Sequence, residues 1–354
     1  MPLISVVIPV YNVSMYLLKR CLDSVCGQID NDVEIVIVDD GSKDENSYAY
    51  RELCSGYSGI SYYKKENSGP SSTRNYGVEK SHGKYVLFVD SDDYITNECL
   101  MQAKNTIKQY HPDILFGYVH KDLADIGIRK HQNPTDNPDI FIIENKKDMA
   151  SLLNHILGYE AEYLVFEQGY ISDGPWCRFF KRELFKHVFF DVIPEWNEDT
   201  LWNIELLNSC QTAVICKSVW YIYAVRKGSV TQGYRSKCAE EFLYITEREF
   251  TVGETLWRGR ADKGISYRIW HDLIFLSRAY IFNCRNNNPF TMKYDVLRRS
   301  IESDSYQRAI NIVDFNFEKR KKYRMIKVFL NFAMRKRLYI LVYIIMKLYI
   351  GKMK

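Results

Sequence analysis

Cysteine pairs of the C-x-x-C type are missing from this 354-residue chain, and its nine cysteines are an odd number scattered from Cys21 to Cys284. That spacing excludes a zinc ribbon and a disulfide scaffold and fits a reducing compartment. Long apolar runs are missing too. The longest uncharged stretch near the end, Leu338 to Met346, is nine residues, against about 20 for a spanning helix. The opening Met-Pro-Leu-Ile-Ser-Val-Val-Ile-Pro has no basic segment and no cleavage site, so no signal peptide is expected. No G-x-G-x-x-G, P-loop or H-E-x-x-H pattern occurs, which argues against a nicotinamide enzyme, a kinase or a zinc protease. Disorder is excluded as well, because 46% of residues are apolar and 26% charged.

The charge is unevenly spread. Residues 318–354 hold twelve Lys/Arg and one acid, so this tail carries +11 and, with the chain at +4, the body carries −7. Basic clusters (Lys319–Lys322, Arg335–Arg337) alternate with short apolar stretches at near-helical spacing. Such a tail suits a helix lying in a membrane interface. Docking on the body and a homodimer contact are the alternatives. The acidic body and the lack of a recognition motif argue against nucleic acid.

The first 120 residues alternate between short Val/Ile-rich runs (Leu3–Val10, Val33–Val38, Ile60–Tyr63, Tyr85–Val89, Ile114–Tyr118) and amphipathic stretches (Ser14–Cys26, Asp44–Cys54, Ser71–Ser81, Asn97–Gln109). Continuous apolar runs suit strands covered on both faces, and the alternation predicts a doubly wound α/β sheet. Ligands of such sheets bind beyond the carboxyl ends of the strands. A helix near 146–157 and a helix-rich segment from Lys237 onward follow. The expected organisation is 1–235 as an α/β domain in two halves (1–120 and 121–235), 236–317 as a helical extension and 318–354 as the basic tail.

The expected strand ends are polar. Strand one ends in Pro9-Val-Tyr11-Asn, strand two in Asp39-Asp40-Gly-Ser, and strand four in Asp90-Ser91-Asp92-Asp93. Five carboxylates on one rim repel unless a cation or a set of donors meets them. Asp90 and Asp92 have the oxygen chemistry for Mg²⁺ or Mn²⁺, although a lone D-x-D is also a common turn. Arg74 and Asn75 fall near the start of the third helix, where an anion is favoured, or where a surface arginine simply flanks a cap.

Taken in order, Pro-Val-Tyr-Asn (9–12), Val-Asp-Asp-Gly-Ser (38–42), Ser-Gly-Pro-Ser-Ser-Thr-Arg-Asn (68–75) and Val-Asp-Ser-Asp-Asp (89–93) resemble the signature of family 2 inverting glycosyltransferases with the GT-A fold. The resemblance implies a nucleotide-sugar donor, with a UDP-sugar expected, and a Mn²⁺ or Mg²⁺ ion. It places Asp39 or Asp40 on the base, Pro9 and Tyr11 on the nucleotide pocket, and Asp90 with Ser91 by the ribose and metal. Asp92 becomes the direct metal ligand, and Arg74 and Asn75 lie beside the nucleotide. In the second half, Gly174-Pro-Trp176-Cys-Arg178 resembles the acceptor-side segment, with Cys-Arg where relatives carry Gly-Lys. Trp196-Asn-Glu198-Asp199 resembles the motif whose aspartate is the catalytic base. On that reading Asp199 is the base, Glu198 its neighbour or acceptor clamp, and Arg226 an assistant at the phosphates. The plain alternative for Glu198-Asp199 is acid favoured at a helix N-terminus. Trp176 and Trp196 are candidates to stack on an acceptor sugar, or are core. The implied setting is bacterial capsule, O-antigen or exopolysaccharide assembly on a lipid-linked acceptor at the inner face of the membrane. The rival readings are a pyrophosphorylase-like enzyme, disfavoured by the missing Gly-rich N-terminal loop, and a catalytically degenerate scaffold.

Overall fold

A computed structural model describes residues 1–122, 139–159, 170–194, 196–225 and 233–351. The chain divides into two compact units, one of residues 1–149 and 165–227, the other of 150–164 and 228–354.

The first unit is built on strands β1 (Ile4–Val10), β2 (Val33–Asp39), β3 (Ile60–Lys64), β4 (Tyr85–Phe88), β5 (Tyr94–Ile95), β6 (Ile114–Asp122), β7 (Ile140–Ile143), β8 (Arg178–Lys181) and β9 (Ala213–Ala224). Helices α1 (Met15–Cys26), α2 (Asp44–Ser55), α3 (Gly69–Glu79), α4 (Cys99–Tyr110), the start of α5 (Lys146–Ile156) and α6 (Glu198–Ser209) complete it. The strands form one mixed sheet in the order β3-β2-β1-β4-β8-β6-β9-β5, with β7 also paired to β9. Strands β1 to β4 pair in parallel with one another, as the apolar runs predict. The next parallel strand does not follow directly, because β8 inserts antiparallel between β4 and β6. The core is the Val/Ile set of β1 and β2 with Leu18, Leu22, Tyr85, Leu87 and Phe179, all buried.

Close backbone approach fixes two positions. A Cβ on Gly77 would lie 2.3 Å from Val7 Cγ1, so α3 can pack on β1 only without a side chain there. A Cβ on Gly117 would lie 2.2 Å from the Trp220 ring, where the register of β6 on β9 also shifts. Overpacking of this kind costs about 1–3 kcal/mol. Gly117→Ala is therefore expected to destabilise the first unit by about 2 kcal/mol, read as a shift in the urea midpoint at unchanged slope; an unchanged midpoint would contradict this packing.

The second unit is helical: the end of α5, then α7 (Cys238–Trp257), α8 (Asp262–Leu276), α9 (Phe290–Glu302), α10 (Asp304–Ile312), α11 (Lys321–Arg335) and α12 (Tyr339–Gly351). A π turn, Ser277–Ile281, continues α8. Trp257, Trp270, Leu273, Leu276 and Tyr306 are buried in its core. The basic tail packs on this core: Leu330, Ala333 and Met334 of α11 are buried, and Asn331 donates to the Ile310 carbonyl at 3.1 Å. No helix among the described residues is long and apolar enough to cross a membrane. All nine cysteines are free, and Cys284 alone is exposed.

Candidate active site

The carboxyl ends of β1, β2 and β4 deliver the predicted polar residues to one rim, and internal partners already occupy some of them. Asp39 is fully buried. Its carboxylate accepts from the Ser42 amide at 2.9 Å, the Ser47 hydroxyl at 2.5 Å and the Tyr62 hydroxyl at 2.6 Å. Burial alone would raise its carboxyl, but these donors prevail and hold it below the usual carboxylate range. Asp40 accepts from Lys65, from the Ser68 amide at 3.0 Å and from the Gly69 amide at 2.9 Å. It thus satisfies free N–H groups at the start of α3. Gly41 makes this crossing of two loops feasible: its φ is +72°, and a Cβ there would lie 2.7 Å from the Asn67 amide nitrogen. Pro9 is half-buried in β1, opposite Val38. Tyr11 follows at 56% exposure, its ring open to solvent.

After β4 the chain turns sharply. Asp90, Asp92 and Asp93 each present a carboxylate oxygen within 4.8 Å of the others. Ser91 is buried between them in sequence. The turn is held from three sides. The Asp90 amide donates to the Tyr221 hydroxyl at 3.2 Å, Arg20 donates to the Asp92 carbonyl at 2.7 Å, and the Asp93 amide donates to the Asp90 carbonyl at 3.0 Å. Asp93 is 1% exposed and accepts from the Tyr221 hydroxyl at 2.7 Å and the Ala224 amide at 2.9 Å. Burial, then the neighbouring Asp90, push its carboxyl up to about 7 against those hydrogen bonds. The all-oxygen donor set fits a hard divalent cation. Asp90 and Asp92 are the candidates to hold it, because both oxygens of Asp93 already bond to β9.

Arg74 sits at the centre of the second cluster. It projects from α3, is 6% exposed, and lies 5.4 Å over the Phe190 ring. Its guanidinium reaches Glu198 at 3.2 Å, Asp90 at 3.5 Å and Asp199 at 3.6 Å. Burial works against its charge, but Asp199, Asp90 and Glu198 together hold it more firmly protonated than usual. The neighbouring Asn75 is anchored to the backbone. Asn75 pairs twice with the Phe190 backbone, donating to its carbonyl at 2.9 Å and accepting from its amide at 3.0 Å. It clamps the strap that carries the ring under Arg74.

Glu198 and Asp199 open α6 after Asn197, whose φ of +62° lets the chain turn sharply into the helix. Asp199 keeps 29% side-chain accessibility, so it is reachable from solvent despite its crowded setting. Burial, then Glu198, with Asp173 and Asp90 adding, push its carboxyl well above the ordinary range, while Arg74 opposes them. On the acceptor side Trp176 is half-buried and stacks on Tyr221 at 5.1 Å and Tyr223 at 5.6 Å. Trp196 is 5% exposed and offers little ring surface to a ligand. Arg226 lies outside the described residues.

The structure gives further residues a part in the site. Tyr221 ties the β4 turn to β9, and Asp93, the third carboxylate of that turn, is the acid it holds. Arg178 is fully buried, binds Asn203 of α6, and donates to the Ser172 carbonyl at 2.6 Å. It thereby fixes the 172–176 loop to the helix that carries Asp199. The run of adjacent acids placed Asp93 on the rim and the acceptor-side segment contained Arg178; Arg20 carried no signal.

Residues 5–189 match the family described as glycosyl transferase family 2, and the chain belongs to it. It is 30% identical over 249 residues to the glycosyltransferase GlyA of Streptococcus pneumoniae, covering 70% of this chain and 34% of that protein. It is 36% identical over 147 residues to a poly(ribitol-phosphate) beta-glucosyltransferase of Bacillus spizizenii, covering 40% of this chain and 23% of the relative. The chain thus spans about a third or less of the length of these two relatives. The fold matches S. aureus TarS 1-349, solved in complex with UDP-GlcNAc, with a TM-score of 0.63 and 20% identity over 97% of this chain and 90% of that one. The GT-A-type sheet and the helical C-terminal region are shared.

Proposed function

We propose that the first unit moves a sugar from a UDP-sugar to a hydroxyl of a saccharide acceptor, with inversion and with help from Mn²⁺ or Mg²⁺. The observation that carries this reading is the Arg74 cluster. One buried guanidinium contacts Asp90 of the metal-type turn and both acids of α6, so residues 90, 198 and 199 share one site. The TarS complex with UDP-GlcNAc supports a UDP-sugar donor.

In this mechanism Asp92 and Asp90 would hold the ion, which would supply positive charge against the departing diphosphate. Asp199 takes the proton of the acceptor hydroxyl as its oxygen bonds to the anomeric carbon and the bond to the diphosphate breaks. A raised pKa suits that task, since a stronger base accepts the proton more readily. Arg74 aims the carboxylate and opposes the rise in its pKa. Glu198 is the neighbouring acid or acceptor clamp, and Trp176 offers a ring face to the acceptor. Pro9, Tyr11, Ser91 and either Asp39 or Asp40 line the nucleotide. For Asp39 and Asp40 that contact needs an acceptor lone pair beyond those already engaged. Arg226 would assist at the phosphates. The acceptor is a lipid-linked glycan of surface-polysaccharide assembly, met at the cytoplasmic face of the membrane through the basic tail; that the Bacillus spizizenii relative is a poly(ribitol-phosphate) beta-glucosyltransferase supports a polymeric acceptor.

A panel of nucleotide sugars incubated with enzyme and Mn²⁺ tests the reading. Release of UDP from one UDP-sugar, with a product of inverted anomeric configuration by NMR, is expected; turnover only of a non-uridine donor, or retained configuration, would contradict it. Asp92→Ala should weaken UDP binding at least tenfold in the presence of Mn²⁺ and leave metal-free binding unchanged by calorimetry. Equal loss with and without metal would mean Asp92 contacts the nucleotide itself.

A further inference from the structure

The helical unit carries a feature that the transfer reaction does not use. Helix α12 is apolar on nearly every side, with Lys347 as its one charge. Its inner face (Val342, Tyr343, Met346, Ile350) is buried, while Ile340, Ile344 and Leu348 on the outer face are 52%, 50% and 62% exposed. A helix apolar all round is normally covered on both faces or lies against lipid. Between α12 and α9 runs an open groove of about 860 Å³. Phe290, Ile340, Tyr343, Ile344 and Leu348 form its floor and walls, and Lys293 and Lys347 stand at its edge. Among the described residues no carboxylate lines it. Lys293 is anchored by a 2.7 Å bond to the Asn286 carbonyl, which sets its ammonium at a fixed place. At 1.5 Å per residue the 13-residue helix is about 20 Å long, comparable to a lipid tail.

We propose that this groove binds the hydrocarbon chain of an anionic membrane lipid, with Lys293 and Lys347 meeting the headgroup phosphate. The chemistry selects the occupant. A second soluble protein surface would bring its own polar rim, and a like copy of this basic tail would repel; an anionic leaflet offers both the apolar chain and the opposite charge. The proposal rests on the membrane reading of the tail and deepens it. It makes attachment depend on an apolar slot rather than on basic charge alone.

Flotation of the full chain with phosphatidylglycerol-containing vesicles, at 0.1 M and 0.5 M NaCl, tests it. Salt screens exposed charge but leaves apolar insertion in place. The wild type is expected to float at both salts. Ile344→Glu with Leu348→Glu, both at exposed positions, should lower the bound fraction at 0.5 M at least tenfold. The milder pair Ile344→Ser and Leu348→Ser should give an intermediate loss at an unchanged thermal midpoint. Lys293→Gln with Lys347→Gln should weaken binding at 0.1 M and narrow the preference for anionic over zwitterionic vesicles. Wild-type binding that vanishes entirely at 0.5 M, or apolar variants that float like the wild type, would overturn the groove while leaving a charge-driven tail. A wild type that floats at neither salt would overturn the membrane reading as well. Loss of a dimer by light scattering in the Glu variant, with flotation intact, would assign the face to a second copy and also overturn the proposal. UDP binding on the same preparations reports the transfer site separately.

Discussion

Asp199→Asn is expected to lower kcat by about 10²–10⁴, the range a positioned general base contributes, while UDP binding changes little. The substitution isolates chemistry from folding. Asp199 has a carboxyl raised by burial and by Glu198, so its ionised form costs stability at neutral pH, and the neutral amide removes that cost. The asparagine variant should therefore be at least as stable as the wild type. The same shift gives the pH dependence its sign. The base works only when ionised, so wild-type kcat should fall as pH drops through the raised carboxyl pKa, with the acidic limb well above the ordinary aspartate value. In Asp199→Asn that limb should disappear. Near wild-type turnover in a folded variant, or an acidic limb that survives, would remove Asp199 from the role.

Arg74→Met is expected to have the largest effect on stability. The guanidinium is 6% exposed and lies within 3.6 Å of three carboxylates. Deleting one partner of a buried ion cluster costs about 3–5 kcal/mol, because the remaining charges are left uncompensated. In a unit of this size that corresponds to a fall in Tm of roughly 10 °C. Arg74→Lys should recover only part of this, since a single ammonium cannot reach Asp90, Glu198 and Asp199 from one planar fork. Catalysis should respond in a specific direction. Arg74 opposes the rise in the Asp199 carboxyl, so in the lysine variant, which stays folded, weaker pairing should move the acidic limb of kcat to higher pH. A methionine variant as stable as the wild type would mean the three acids are not held by this arginine.

The parallel half of the fold was legible because its physics is local. Strands buried on both faces read as Val/Ile runs, and their polar ends break those runs abruptly at Tyr11, Asp39 and Asp90. Helix α3 begins at Gly69 rather than Ser71 because the Asp40 carboxylate, from another loop, takes the Ser68 and Gly69 amides. Strand β6 runs on to Asp122 because β9 supplies a long partner. Strands β5, β7 and β8 were not legible, since two to four residues become a strand only through distant pairing. The site divides in the same way. The aspartates after β2 and β4 stand out in the sequence, and the family motif points to Glu198 and Asp199. Nothing local shows that Arg74, 124 residues before Glu198, bridges the two halves of the site. Nor does anything local show that Asn75 clamps Phe190, or that Arg178 is locked beneath the acceptor-side loop. Those facts depend on long-range packing, where opposite charges are brought together and then buried.

The central claim is that the Asp90-Ser91-Asp92 turn holds a divalent ion and the donor diphosphate on the side of the sheet where Asp199 waits. Anomalous diffraction at the manganese edge, from crystals soaked with Mn²⁺ and UDP, tests it most directly. The account predicts one strong peak in coordination contact with Asp92 and the diphosphate oxygens, with the open side of the diphosphate turned toward Asp199. A diphosphate bound without manganese near Asp92, or a nucleotide seated away from the Arg74 cluster, would contradict it.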